Sequence, residues 1–93
     1  MILVWTRLAR ADREKIRARI AEDNPSAALA LDMSFSEKTA LLVEHPHMGR
    51  PGRVPGTREL VAHPNYILIY DVTSDAVRIL RLLHAAQKWP PSR

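Results

Sequence analysis

The chain contains no cysteine, three glycines among 93 residues, and only 5% aromatics. Without cysteine there is no disulfide framework, no thiolate metal site and no thiol nucleophile. The three glycines do not form the spaced run after a strand that cradles a phosphate. No internal repeat or low-complexity tract is present. The N-terminal apolar stretch, Met1 to Trp5, gives way to Thr6 and Arg7. It is too short for a secretion signal or a membrane span, so a cytoplasmic protein without membrane association is expected. A chain of this length is expected to form one domain, 1–93, that buries roughly 60–65% of its unfolded surface.

What is present is charge, unevenly distributed. Residues 1–44 hold seven Lys/Arg and seven Asp/Glu; residues 45–93 hold seven basic residues against Glu59, Asp71 and Asp75. The formal charge of +4 therefore resides entirely in the second half, together with all four histidines. An anionic partner is expected to meet that half.

The apolar pattern changes character along the chain. Ile2 to Trp5 reads as a strand, and Thr6 is suited to cap a helix over Arg7 to Glu22, a stretch without Gly or Pro. Ala9, Ile16 and Ile20 fall near helical spacing, and Asp12 and Arg13 between them are expected to snorkel from the edge of the core. Asn24 and Pro25 suit the cap and first turn of a second helix running to about Glu44, with Ala28, Leu31, Phe35 and Leu42 on one face. So short a turn predicts an antiparallel helical hairpin. His45 to Gly56 carries all three glycines and three of seven prolines, and is expected to hold no regular element. Three strands follow, over Arg58–His63, Tyr66–Val72 and Val77–His84, with Thr73-Ser74-Asp75 as a hairpin turn. In the last strand Val77, Ile79, Arg81 and Leu83 are expected to alternate with Arg78, Leu80, Leu82 and His84. Strands apolar on both faces are expected to be covered at least partly on each side. Helices grouped before strands make the fold class α+β.

Several segments, in this order and spacing, carry a family resemblance: Ala21-Glu22-Asp23-Asn24-Pro25, the run Glu44 to Arg53, Gly56-Thr57-Arg58-Glu59-Leu60-Val61, Tyr66 to Val72, and Val77 to His84. The chain resembles the ParE/RelE superfamily of toxins from bacterial type II toxin–antitoxin modules, and is more similar to its ParE-type members. The resemblance implies an N-terminal strand, a helical hairpin and a three-stranded antiparallel meander forming a small sheet. It also implies neutralisation by a cognate antitoxin with a DNA-binding part, in a toxin–antitoxin hetero-oligomer. RelE-type members are mRNA interferases, often acting on the ribosome. ParE-type members poison DNA gyrase, are not enzymes, and serve in plasmid stabilization.

If the chain is a ribonuclease, metal-independent cleavage needs a base, an acid and cations around the phosphorane. His84 and His63 are the candidate proton carriers. Arg58, Arg81 and Lys88 are the candidate phosphate clamps, and Tyr66 or Trp89 can stack on a base. Ribonuclease relatives usually place Arg after the aromatic that opens the penultimate strand; here Ile67 follows Tyr66, and Leu60 stands two residues beyond Arg58 where a paired base is usual. This departure favours gyrase. Arg50, Arg53, Arg58, Tyr66 and Trp89 are then candidates for contact with the target or antitoxin. His45 and His47 lack a third ligand, so neither metal nor cofactor is expected.

Overall fold

The computed structural model describes residues 1–91; Ser92 and Arg93, which end the expected 1–93 unit, lie outside the described residues. The elements are β1 (Ile2–Trp5), α1 (Arg7–Asp23), α2 (Pro25–Glu44), β2 (Arg50–Pro51), β3 (Arg58–His63), β4 (Tyr66–Val72) and β5 (Ala76–His84). The order is the α+β order expected, and local chemistry explains its boundaries. The Thr6 hydroxyl oxygen accepts the Ala9 N–H at 3.2 Å, capping α1. The same hydroxyl donates to the Leu80 carbonyl at 3.1 Å, tying the helix start to β5. Asn24 serves both helices: its N–H donates to Ile20 at 2.9 Å, and its Oδ1 accepts the Ala27 N–H at 3.0 Å. One residue thus ends α1, starts α2 and folds the hairpin back on itself.

The sheet order is β1-β5-β4-β3-β2, with β1 parallel to β5 and the other pairs antiparallel. The N-terminal strand joins the sheet as an edge. The fifth strand corrects the expectation for His45–Gly56: Arg50 and Pro51 pair with Glu59 and Arg58. Proline is tolerated because β2 is an edge, needing ladder bonds on one side only. Within the same connector Gly56 has φ +84, and the Thr57 N–H closes on Val54 at 3.1 Å. Pro55 then Gly56 supply the fixed and the left-handed positions such a turn needs.

Ala9 from α1, Phe35 and Leu42 from α2, and Leu68, Tyr70, Val77, Ile79 and Leu82 from the sheet form one buried cluster. Leu82 belongs there because of a β-bulge. The register steps from Ile69–Arg81 to Tyr70–Ile79, leaving Leu80 as an extra residue. The alternation expected for this strand therefore fails beyond Ile79: Leu82 turns under the helices and Arg81 turns away. Across the other face lie Val61, Ile67 and Leu83 in one cross-strand row. Val61 is 55% exposed, whereas Ile69 and Leu83 on that face are buried. Asp12 and Arg13 correct another expectation, because neither snorkels. Arg13 forks onto Asp32 of α2 at 2.7 and 3.1 Å, with its guanidinium 4.7 Å from the Trp5 ring. Asp12 pairs with Arg81.

Candidate functional site

Three groups of polar side chains surround the sheet. The first lines a groove of about 840 Å³ between α1 and the C-terminal end of β5. β1 pairs no further than Ile79, so the edge of β5 is free beyond it, and α1 supplies the missing partner. Asp12 Oδ2 accepts the Leu82 N–H at 3.1 Å, while its carboxylate takes the Arg81 guanidinium at 2.8 and 2.9 Å. The bond to Asp12 holds the Arg81 cation still more firmly protonated than usual, against the opposing effect of burial. Tyr66 and His84 line the same groove. Their rings meet edge to face at 5.4 Å, and Tyr66 also touches Phe35 at 5.8 Å and His63 at 5.9 Å.

Both histidines are held by the backbone. His84 Nδ1 accepts the Ala86 N–H at 3.0 Å, and His63 Nδ1 accepts the Asn65 N–H at 3.2 Å. A backbone amide can only donate, so each neutral ring carries its proton on Nε2.

The second group lies where β2 meets β3. Glu59 is 3% exposed, yet its Oε1 takes Arg50 at 3.1 Å and its Oε2 takes the Arg53 N–H at 2.9 Å. Burial alone pushes this carboxyl up; the Arg53 amide, the Arg50 hydrogen bond and the two guanidinium charges outweigh it and hold it below the usual carboxylate range. Cross-strand pairing extends this row from Arg50 through Glu59 and Ile69 to Arg81. Trp89 lies beside the same row. Arg53 Nη1 donates to its carbonyl at 3.3 Å, and its ring is 6.0 Å from the Arg81 guanidinium. The indole N–H is buried without a partner among the described residues.

The third group is Arg58, Tyr70 and the His45–Gly49 segment. The Tyr70 hydroxyl donates to the Pro46 carbonyl at 2.8 Å and accepts the Gly49 N–H at 2.9 Å. Arg58 Nη1 donates to the Gly49 carbonyl at 2.7 Å. Arg58 lines a separate shallow pocket of about 290 Å³ with His47 and Thr57.

The residues singled out in the sequence are thus divided. Arg81, Tyr66 and His84 share the groove, and His63 stacks behind it. Arg50 and Arg53 gather around Glu59, with Trp89 against Arg53. Arg58 stands apart: it pairs with Tyr70 and His84 pairs with Tyr66, four positions or about 13 Å along β4. Lys88 is exposed in the segment after β5. Sequence reasoning passed over Glu59 as an organising group and over Lys15 and Arg19 as groove residues. The only signal for Glu59 was an acidic residue directly after three arginines, Arg50, Arg53 and Arg58. Among the described residues no three His, Asp or Glu side chains gather closely enough to hold a metal ion, and no helix is long and apolar enough to cross a membrane.

Comparison with known proteins accords with this architecture. The chain is 41% identical over 87 residues to toxin Y4kP of Sinorhizobium fredii, covering 92% of this chain and 90% of that one. It is 36% identical over 85 residues to toxin RelE2 of Caulobacter vibrioides, covering 91% and 96%. The solved chromosomal ParDE TA system from P. aeruginosa contains a chain that superposes with a TM-score of 0.81 at 31% identity, over 90% of this chain and 95% of that one. Residues 3–89 match the family described as the ParE toxin of the type II toxin-antitoxin system, parDE. By sequence and by fold, this chain belongs to the ParE toxin family of type II toxin–antitoxin systems.

Proposed function

We propose that this toxin inhibits DNA gyrase, and hence replication, in the cytoplasm, and that a cognate antitoxin holds it inactive. The observation that carries the choice of target is the state of the two histidines. A histidine that carries protons in RNA cleavage needs a free lone pair to take the 2′-OH proton, or an imidazolium to protonate the leaving oxygen. In His84 and His63 the Nδ1 lone pair accepts a backbone N–H, so neither Nδ1 is open to a 2′-OH in this arrangement. The clamps are similarly engaged. Arg81 is held by Asp12, and Arg58 is held by the Gly49 carbonyl some distance along the sheet. Ile67 stands on β4 where ribonuclease relatives carry arginine, and loss of such a clamp costs several orders of magnitude in rate.

Poisoning a large enzyme requires a contact surface rather than reacting groups. The exposed guanidinium ends of Arg50 and Arg53, beside Trp89 and Lys88, offer cations next to an aromatic in the basic half of the chain. The ribonuclease alternative draws on the meeting of Tyr66, His84 and Arg81 in one groove.

The test is a supercoiling assay with purified gyrase, relaxed plasmid and ATP, run beside a reconstituted translation reaction programmed with one mRNA. Supercoiling falls as toxin is added and returns when antitoxin is present, while the mRNA stays whole. Cleaved mRNA with undisturbed supercoiling would overturn the gyrase reading and make His84 and Arg81 catalytic suspects.

A further inference from the structure

We infer that the pocket lined by His47, Thr57 and Arg58 binds one phosphate group, as free phosphate or as a small phosphate monoester. Such a site is separate from the gyrase contact proposed above and holds for either target. It starts from a cation that lacks an anion. Arg13, Arg58 and Arg81 are half-buried arginines. Arg13 and Arg81 each grip a carboxylate with Nε and Nη2, one edge of the guanidinium. Arg78, more exposed, takes Asp71 by the same edge. Arg58 makes no ion pair among the described residues. Its Nη1 donates to the Gly49 carbonyl at 2.7 Å and, at 3.4 Å, to the His47 carbonyl. The guanidinium is thereby held in place, while its Nε–Nη2 edge has no partner among the described residues. A planar edge of that kind takes a carboxylate or a phosphate through two parallel hydrogen bonds.

Further donors line the same pocket of about 290 Å³. His47 is exposed, and only its carbonyl is engaged, by Arg58. The turn Val54 to Thr57 closes through the Thr57 N–H, which leaves the Gly56 N–H unpaired among the described residues. No carboxylate lines the pocket. The acids nearest in sequence and pairing, Glu59 and Asp71, are already engaged by Arg50, Arg53 and Arg78. A guanidinium edge, an imidazole and a backbone N–H make a donor set suited to an oxyanion.

Oxygen count and size narrow the occupant. A carboxylate has two oxygens, and the arginine edge alone occupies both. A phosphate monoester has three free oxygens, which leaves one for His47 or Gly56. The volume is at the lower limit of ligand pockets, about 300 Å³, so a small substituent fits and a large one does not. A polynucleotide needs a track of cations and an aromatic platform. The next cations, Arg50 and Arg53, are bound to Glu59, which pairs with Ile69 on the opposite face of the sheet. The neighbouring ring, Tyr70, is fully buried. Nor is this a phosphate within reach of His84, which lies about 13 Å away along β4.

The experiment titrates inorganic phosphate, and separately glycerol phosphate, into the full toxin chain purified away from its antitoxin. NMR follows the Arg58 Nε–H and the Gly56 and Thr57 amides. Saturable shifts confined to this pocket are expected, with a dissociation constant of about 1 mM or tighter. H47A is expected to weaken binding about fivefold. R58K keeps the charge but loses the planar edge, and is expected to weaken it about tenfold or more. Arg10 is exposed and lines neither pocket, so R10Q controls for general charge and changes binding less than about twofold. Circular dichroism melts establish that each variant is folded; H47A, at an exposed side chain, carries the comparison if R58K is not.

The ligand that binds more tightly, inorganic phosphate or glycerol phosphate, assigns the source, and either supports the pocket. Shifts that rise without saturation, or equal weakening by H47A and R10Q, would reduce the effect to long-range attraction and overturn the site. Acetate binding as tightly as phosphate would give the pocket to a carboxylate and overturn the phosphate. Tighter binding of a short single-stranded DNA without terminal phosphates, lost in R58K, would give it to nucleic acid and overturn the small ligand.

Discussion

Asp12 and Arg81, 69 residues apart in sequence, meet through two hydrogen bonds of 2.8 and 2.9 Å, and Asp12 also takes the Leu82 N–H. One carboxylate thus closes the edge of β5 that β1 leaves unpaired and fixes α1 against the sheet. Replacing it by alanine strands a half-buried guanidinium and a backbone donor together. The expected loss for D12A is about 2 kcal/mol, between the values typical of exposed and of buried pairs. D12N keeps an acceptor for Leu82 and is expected to lose less. Urea unfolding of the three proteins, with equal slopes, measures both differences.

Tyr70→Phe removes one hydroxyl and leaves two backbone groups, the Pro46 carbonyl and the buried Gly49 N–H, without it. A cost of about 1–3 kcal/mol is expected, since a buried group left unpaired forfeits its solvation. Faster amide exchange at Gly49 than in the rest of the protein would locate the loss in the loop. A stability equal to wild type would show that water replaces the hydroxyl at no cost.

Gly49 tests the same junction from the other side. A Cβ there would meet the Tyr70 hydroxyl at 2.7 Å and the Glu59 carbonyl at 2.8 Å. The second neighbour is strand backbone, which does not yield easily. G49A is expected to destabilise by about 1–3 kcal/mol through overpacking. Gly56 has open space around its Cβ position but φ +84, so G56A costs about 1 kcal/mol for backbone strain alone. Thermal melts of the two variants rank them.

Glu59 gives the protein a defined response to acid. Burial raises its affinity for a proton, but the Arg53 amide and the Arg50 and Arg53 charges prevail, so its folded value lies below the ordinary one. A carboxylate depressed on folding stabilises the native state above its unfolded pKa, near 4.3. That contribution is lost as the pH falls from there through the lower folded value. Wild-type stability is therefore expected to drop below about pH 4.5, and E59Q to be weaker at pH 7 yet flatter across that acid range. Parallel acid limbs for the two proteins would remove Glu59 as the cause.

His84→Gln separates the two targets in cells. The glutamine keeps a polar side chain at the groove while abolishing proton transfer. Growth arrest without antitoxin is expected to stay within about twofold of wild type, whereas general acid–base catalysis contributes 10²–10⁴-fold. Pulse labelling in the same cultures should show thymidine incorporation falling before methionine incorporation.

Much of the fold was legible because its signals are local. Thr6, Asn24 and Pro25 mark helix starts by their own chemistry, and the apolar runs at 58–63 and 66–72 match the strands residue for residue. The candidate site was legible only in part. His84, Tyr66 and Arg81 do line one groove, but Arg58 was grouped with them in sequence and belongs to the Tyr70 junction instead. Lys15 and Arg19 were invisible as site residues, since a solvated helical cation and one above an apolar groove read alike.

Caps, periodicity and turn residues act over a few positions, so the amino-acid order alone set where both helices and four of the five strands lie, to within a residue, and placed the excess charge in the second half. Tertiary packing decided the rest. The extra residue at Leu80 inverts the facing of everything after it, which turned Leu82 into the core and freed Arg81 to reach Asp12. Pairing of Arg50–Pro51 with β3 brought two arginines onto Glu59. Such contacts join residues from 6 to 70 positions apart, and their free energy depends on burial and on which partner arrives, quantities that no local window of sequence contains.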